Sequence, residues 1–141
     1  MPIVAAYAVP HPPLIIPSVG CGQEAGIQGT IDAYHQVAVH IAETAPDTVI
    51  VSSPHAPAYR DGFAICQMER LEGNMRQFRS PERIECNVDV QLAQAIEAAA
   101  IDASISVYGS AWRNAPMDHA TFIPLYFLRA TRIRFRAHLR G

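Results

Sequence analysis

The sequence predicts an α/β fold built on a mostly parallel or mixed sheet, and three observations carry that prediction. Residues 3–9 (I-V-A-A-Y-A-V) and 48–53 (T-V-I-V-S-S) are short, apolar and rich in β-branched side chains, so both read as strands. Residues 22–45 between them read as one long helix. Each apolar segment runs into a proline-flanked histidine, P-H-P-P at His11 and P-H-A-P at His55.

The helix is argued from spacing. Ile27, Ile31, Tyr34, Ala38 and Ile41 recur at helical intervals on one face. Pro46 stops the helix, and Asp47 leads into the second strand. A strand–helix–strand unit nearly always has a right-handed crossover and parallel strands. The carboxyl ends of parallel strands share one rim, where open α/β sheets bind ligands. His11 and His55 are therefore expected to face one crevice. Their flanking prolines fix φ and stiffen both loops. Two imidazoles held on one rim are the first requirement of a mononuclear metal site.

Downstream of His55, residues 56–62 form a turn-rich loop and residues 63–66 a short strand. Residues 67–81 are polar and aperiodic, which predicts a surface excursion. Residues 83–88 read as another strand. Residues 89–100 read as a helix capped by Asp89, with Leu92, Ala93, Ile96 and Ala99 on one face. Residues 104–108 read as a strand and 109–118 as a loop that delivers Asp118 and His119. Residues 122–128 are apolar and expected to be buried. In 131–139, Ile133, Phe135, Ala137 and Leu139 alternate with Arg132, Arg134, Arg136 and His138, the period of a half-exposed strand.

Composition narrows the function classes. Half of the 141 residues are hydrophobic and 17% are charged, as in a globular domain. The net charge of −2 provides no field for nucleic acid or membrane, and no apolar run is long enough to span a bilayer. No signal peptide is read at the N-terminus. Cys21, Cys66 and Cys86 are odd in number and far apart, which fits neither a disulfide framework nor a thiolate zinc knuckle. A reduced, cytoplasmic setting follows as the expectation. All eleven basic residues are arginine, so Schiff-base and P-loop lysine chemistry is excluded within this chain.

The strings M-P-I-V-A-A-Y-A-V-P-H-P-P-L-I-I-P, V-I-V-S-S-P-H-A-P and M-D-H-A-T-F-I-P-L-Y-F resemble the class III extradiol ring-cleavage dioxygenase (LigB-like) superfamily. Within it the chain is most like the AmmeMemoRadiSam system protein A and Memo-like branch. The resemblance covers residues 1–128 and implies a three-layer domain with helices on both faces, truncated at its C-terminal side. Residues 129–141 then form an Arg-rich tail, either an edge strand with outward arginines or a non-native, out-of-frame end. The resemblance further implies non-haem Fe(2+), with Zn(2+) as the other candidate ion. His11 and His55 match the family's metal histidines, and His119 matches one of its acid/base histidines. The family's glutamate ligand and second acid/base histidine lie beyond the matched region. Ala120 stands where the family usually has glycine.

A face of two histidines and one carboxylate leaves positions open on Fe(II) for a small aromatic diol and O2. The implied function is an extradiol-type dioxygenase domain with His119 exchanging a catechol proton. The site is incomplete, and Asp61 and Asp118 are the acids that could approach it. Two other functions compete. One is a non-catalytic Memo-like module binding a ligand in the same crevice. The other is a zinc hydrolase, although no H-E-x-x-H pattern is present. Plainer readings apply elsewhere: His35 and His40 on a solvated helix face, and Tyr7, Tyr34, Tyr59 and Trp112 as packing residues. A truncated domain would leave Phe122, Ile123, Leu125, Tyr126 and Phe127 uncovered and drive homo-oligomer formation or self-association.

Overall fold

The computed structural model describes residues 2–55, 57, 59–109, 115–131 and 136–140. Its helices are α1 (Pro17–Gly20), α2 (Gln28–Thr44), α3 (Val90–Asp102) and α4 (His119–Leu128). Its strands are β1 (Thr48–Ser52), β2 (Phe63–Ala64), β3 (Arg70–Asn74), β4 (Arg83–Val88), β5 (Val107–Tyr108) and β6 (Arg136–Arg140). The main sheet has the order β1-β6-β4-β3, with β6 parallel to both neighbours and β3 antiparallel to β4. Strands β2 and β5 form a separate parallel pair. The α/β class with a mixed sheet is as the sequence predicts.

The long helix is present with a tighter start, a 3-10 turn over Gln23–Ile27 that runs into α2. Ala45 ends it in the left-handed region (φ 46°), its N–H bonded to Ile41 O, and Pro46 follows. Tyr34, Ala38 and Ile41 are buried along the expected face. Ile27 and Ile31 pack at the margin of the core. Helix α3 carries its expected cap, with Leu92 N–H donating to the Asp89 carboxylate at 3.1 Å.

Four expectations are corrected. Residues 3–9 form no strand: they carry no regular structure, and Ile3 (88%) and Val4 (60%) are exposed. A strand exists only through its ladder, and β propensity without a partner does not make one. In the sheet, β6 lies between β1 and β4. The tail is therefore an interior strand, not an edge. Its backbone pairs with Thr48–Ser52 on one side and with Asn87 and Val88 on the other. Alternation reports which side chains share a face, not how many neighbours the backbone has. Trp112, Arg132 and Arg134 lie outside the described residues, as does the side chain of His138.

Residues 67–81 are not a surface excursion. They contain β3 and a 3-10 turn (Arg76–Phe78), and Leu71, Gly73 and Met75 are buried while Glu72 and Asn74 face out. The period of two was masked by Gly73, which has no side chain to count as apolar. The outer face of this hairpin carries the exposed pairs Arg70–Glu85 and Arg83–Glu72, and such pairs contribute little to stability.

The apolar run after His119 is covered rather than exposed. Phe122, Ile123, Leu125, Phe127 and Leu128 are buried, and Tyr126 is half-buried. Helix α4 lies against β3 and β4 and against α2, with Tyr34 stacked on Phe127 at 4.4 Å. A helix apolar on every side needs such cover on every side. Burying a side chain of the size of Phe122 or Leu71 is worth about 1.5–3 kcal/mol. The same core takes in Ile15 and Ile16, just beyond His11. No described helix is long and apolar enough to cross a membrane.

Candidate metal centre

Three separate pieces of chain bring His11, His55 and His119 together, and each piece has its own anchor. The His11 loop is held on both sides. Upstream, the Tyr34 hydroxyl of α2 donates to Pro10 O. Downstream, Ile15 N–H donates to Pro12 O at 3.1 Å, and the Ile15 and Ile16 side chains are fully buried. The prolines limit what the two residues around His11 can do between those anchors.

His55 follows the end of β1. Its N–H donates to Ser53 Oγ at 3.1 Å, a local turn of the kind serine supports. Ser53 is buried, and its hydroxyl donates to Asp118 Oδ1 at 2.6 Å. Asp118 is the N-cap of α4: Oδ1 accepts from Ala120 N (2.8 Å) and Thr121 N (3.1 Å), and Oδ2 from Thr121 Oγ1 (2.9 Å). His119 is the first residue of that helix. The approach to it is pinned by Met117 N–H donating to Glu72 O at 3.0 Å. A Cβ at position 73 would lie 2.7 Å from Met117 Cβ, so the glycine in β3 is what permits this contact.

The Nε2 atoms of His11 and His55 are 3.1 Å apart. One ligand atom from each of the three histidines lies within 4.8 Å of the others. The ring of His55 is 4.4 Å from that of His119, and Phe78 meets His119 edge-on at 5.5 Å. His11 and His119 are half-buried and His55 is exposed, so the cluster opens to solvent. Burial first, and then the neighbouring His55 ring, hold the His119 pKa below the ordinary histidine value, while Asp118 pulls the other way. This shift favours the neutral form of the His119 imidazole, the form that can accept a proton.

The donor set fits a divalent ion of borderline softness. Two imidazole nitrogens bound at right angles to one ion, each at about 2.1 Å, stand about 3 Å apart, close to the observed His11–His55 separation. Among the described residues no carboxylate joins the three rings. Asp118 is committed to its cap and to Ser53, and Asp61 accepts the Tyr108 hydroxyl at 3.2 Å. Neither acid considered from the sequence supplies the missing charge.

The remaining sequence assignments sort simply. His35 and His40 are exposed on α2, His35 against the Phe127 ring and His40 bonded to the Tyr7 hydroxyl. Tyr34 packs, as expected, and also anchors the His11 loop. Cys21, Cys66 and Cys86 are free thiols. Sequence reasoning missed Ser53, although a serine two residues before a histidine and next to a proline was a visible turn signal. It also missed Phe78, which no pattern marks.

The sequence around this site matches known proteins. Residues 5–137 match the family model described as the catalytic LigB subunit of aromatic ring-opening dioxygenase. Protein CA_C1420 of Clostridium acetobutylicum is 29% identical over 130 residues, a match covering 86% of this chain and 28% of the relative. The chain thus spans less than a third of that curated relative's length. With all three histidines inside a match that takes in nearly the whole sequence, the chain belongs to the family of the catalytic LigB subunit of aromatic ring-opening dioxygenases.

Proposed function

We propose that this chain is the histidine-bearing part of a non-haem Fe(II)-dependent extradiol dioxygenase domain acting on catecholic substrates. The observation that carries the reading is the His11–His55 pair, two ring nitrogens 3.1 Å apart inside a family match of residues 5–137. Family members are generally metal-dependent. His11 and His55 would hold the ion, and Fe(II) in that position supplies redox contact between an aromatic diol and O2. The protein's own part is placement and proton transfer. His119 stands beside both rings as a neutral imidazole whose free nitrogen takes a diol proton and later returns it. Phe78 packs against His119 in a T-shaped contact and lines that side of the site.

The test is anaerobic reconstitution with Fe(II), then oxygen uptake and absorbance with a panel of catechols. Oxygen consumption together with a yellow ring-fission product supports the reading. Stoichiometric iron with neither signal on any diol overturns it.

The third ring supports a second reading. Three imidazoles within 4.8 Å of one another are also the donor set of a catalytic zinc ion, with His119 as a ligand rather than a proton carrier. Stoichiometric zinc with esterase or amidase activity would favour that chemistry over oxygenation.

A further inference from the structure

We propose that Ser53 is a positioning residue of the histidine site: its hydroxyl ties the end of β1, which leads to His55, to the start of α4, which carries His119, and so holds the His55 ring toward a divalent cation and the His119 ring beside it. The inference rests on reading the cluster as a metal site. Ser53 is a buried polar side chain in a mostly apolar core, 5% exposed. It is fully used in one chain of bonds, accepting from the His55 N–H and donating to Asp118 Oδ1. The bonded residues are 65 positions apart in sequence. The 2.6 Å bond to a carboxylate belongs to the short, charge-assisted class.

This bond does a separate job from the helix cap. Without the Ser53 hydroxyl, Asp118 still accepts from Ala120 N, Thr121 N and Thr121 Oγ1, so α4 keeps its start. What is lost is the cross-connection. His55 lies in an exposed loop and His119 at a helix terminus, and among the described contacts Ser53 is the polar bridge between their elements. Groups that orient metal-binding histidines in this way typically change metal affinity by about 10–100-fold when removed.

The experiment is titration of the purified protein with Co(II), followed by the visible d–d spectrum, for wild type, Ser53→Ala and Ser53→Thr. Circular dichroism and thermal melting serve as fold controls. Ser53→Ala is expected to stay folded, to bind Co(II) about 10-fold or more weakly, and to shift the spectrum. Ser53→Thr keeps a hydroxyl and is expected to restore both. Alanine binding as tight as wild type with an unchanged spectrum overturns the proposal and leaves the metal reading standing. Equal weakening by alanine and threonine also overturns it, because packing rather than the hydroxyl would then be responsible. A wild-type protein that binds no Co(II) overturns the metal reading and the proposal together.

Discussion

Residues 3–13 and 48–57 look alike in sequence, an apolar β-branched run followed by a proline-flanked histidine. They part company in the fold. The second run is β1, paired along its whole length with β6, its Val51 buried. The first is irregular, with Ile3 and Val4 open to solvent. Yet both deliver a histidine to the same point. The lesson is that the strands do not place the rings. The placement comes from local anchors: the Tyr34 bond to Pro10 O and the buried Ile15 and Ile16 for His11, and the Ser53–Asp118 bridge for His55. An anchor of one or two hydrogen bonds beside a stiff turn is enough to aim an imidazole.

The largest test of this comparison concerns the rings themselves. If the two motifs contribute equally despite their different backbones, His11→Ala and His55→Ala should each lower Co(II) or Fe(II) affinity by about 100-fold or more, since each removes a ligand and not only an orienting group. A large loss for His55 with none for His11 would break the symmetry. Next come the segments. Val51→Ala removes two buried methyl groups and should cost about 2 kcal/mol in urea unfolding. Val4→Ala should stay within about 0.5 kcal/mol. Equal costs would mean that residues 3–9 are packed after all.

A smaller effect separates anchor from ligand. Tyr34→Phe keeps the stack on Phe127 but drops the bond to Pro10 O, so stability should fall by about 1 kcal/mol. Metal affinity should fall more than this modest stability loss accounts for. The smallest test uses the thiols that follow each motif. Cys21 is exposed and should alkylate readily near pH 8. Burial pushes the Cys86 thiol up to about 11, and Cys66 is raised for the same reason. Both should resist labelling until unfolding or high pH. The Cys86 shift also fixes the sign of a stability change. Above about pH 9 the unfolded chain releases this proton while the folded chain keeps it, so stability falls as pH rises toward 11. Cys86 is half-buried, and its rapid labelling at pH 8 in the folded protein would contradict the raised thiol.

Much of this was legible without coordinates. The amphipathic face of α2 and the Asp89 cap of α3 were readable from spacing and turn residues. The meeting of His11 with His55 was expected from a strand–helix–strand unit whose first strand is absent, so the outcome held while its reasoning did not. Other features were not legible, among them the unpaired state of residues 3–9. The β3 strand hid behind Gly73, whose lack of a side chain serves a contact with Met117 rather than a pattern. The tail read as an edge because alternation is blind to the second neighbour that β6 has in β4. Ser53 was noted only as the last residue of a strand, because its partner, Asp118, is distant in sequence.

The order of residues alone determined which groups could do chemistry: three histidines, two beside prolines that stiffen their loops and one behind an aspartate that caps its helix. These are short-range effects, set within a few positions by sterics and local hydrogen bonds. Only the tertiary structure decided that the first apolar run would go unpaired, that the tail would enter the sheet, and that a serine and an aspartate would meet across the site. Those outcomes depend on competition among distant segments for the same backbone partners and the same buried space, and no local pattern records who wins.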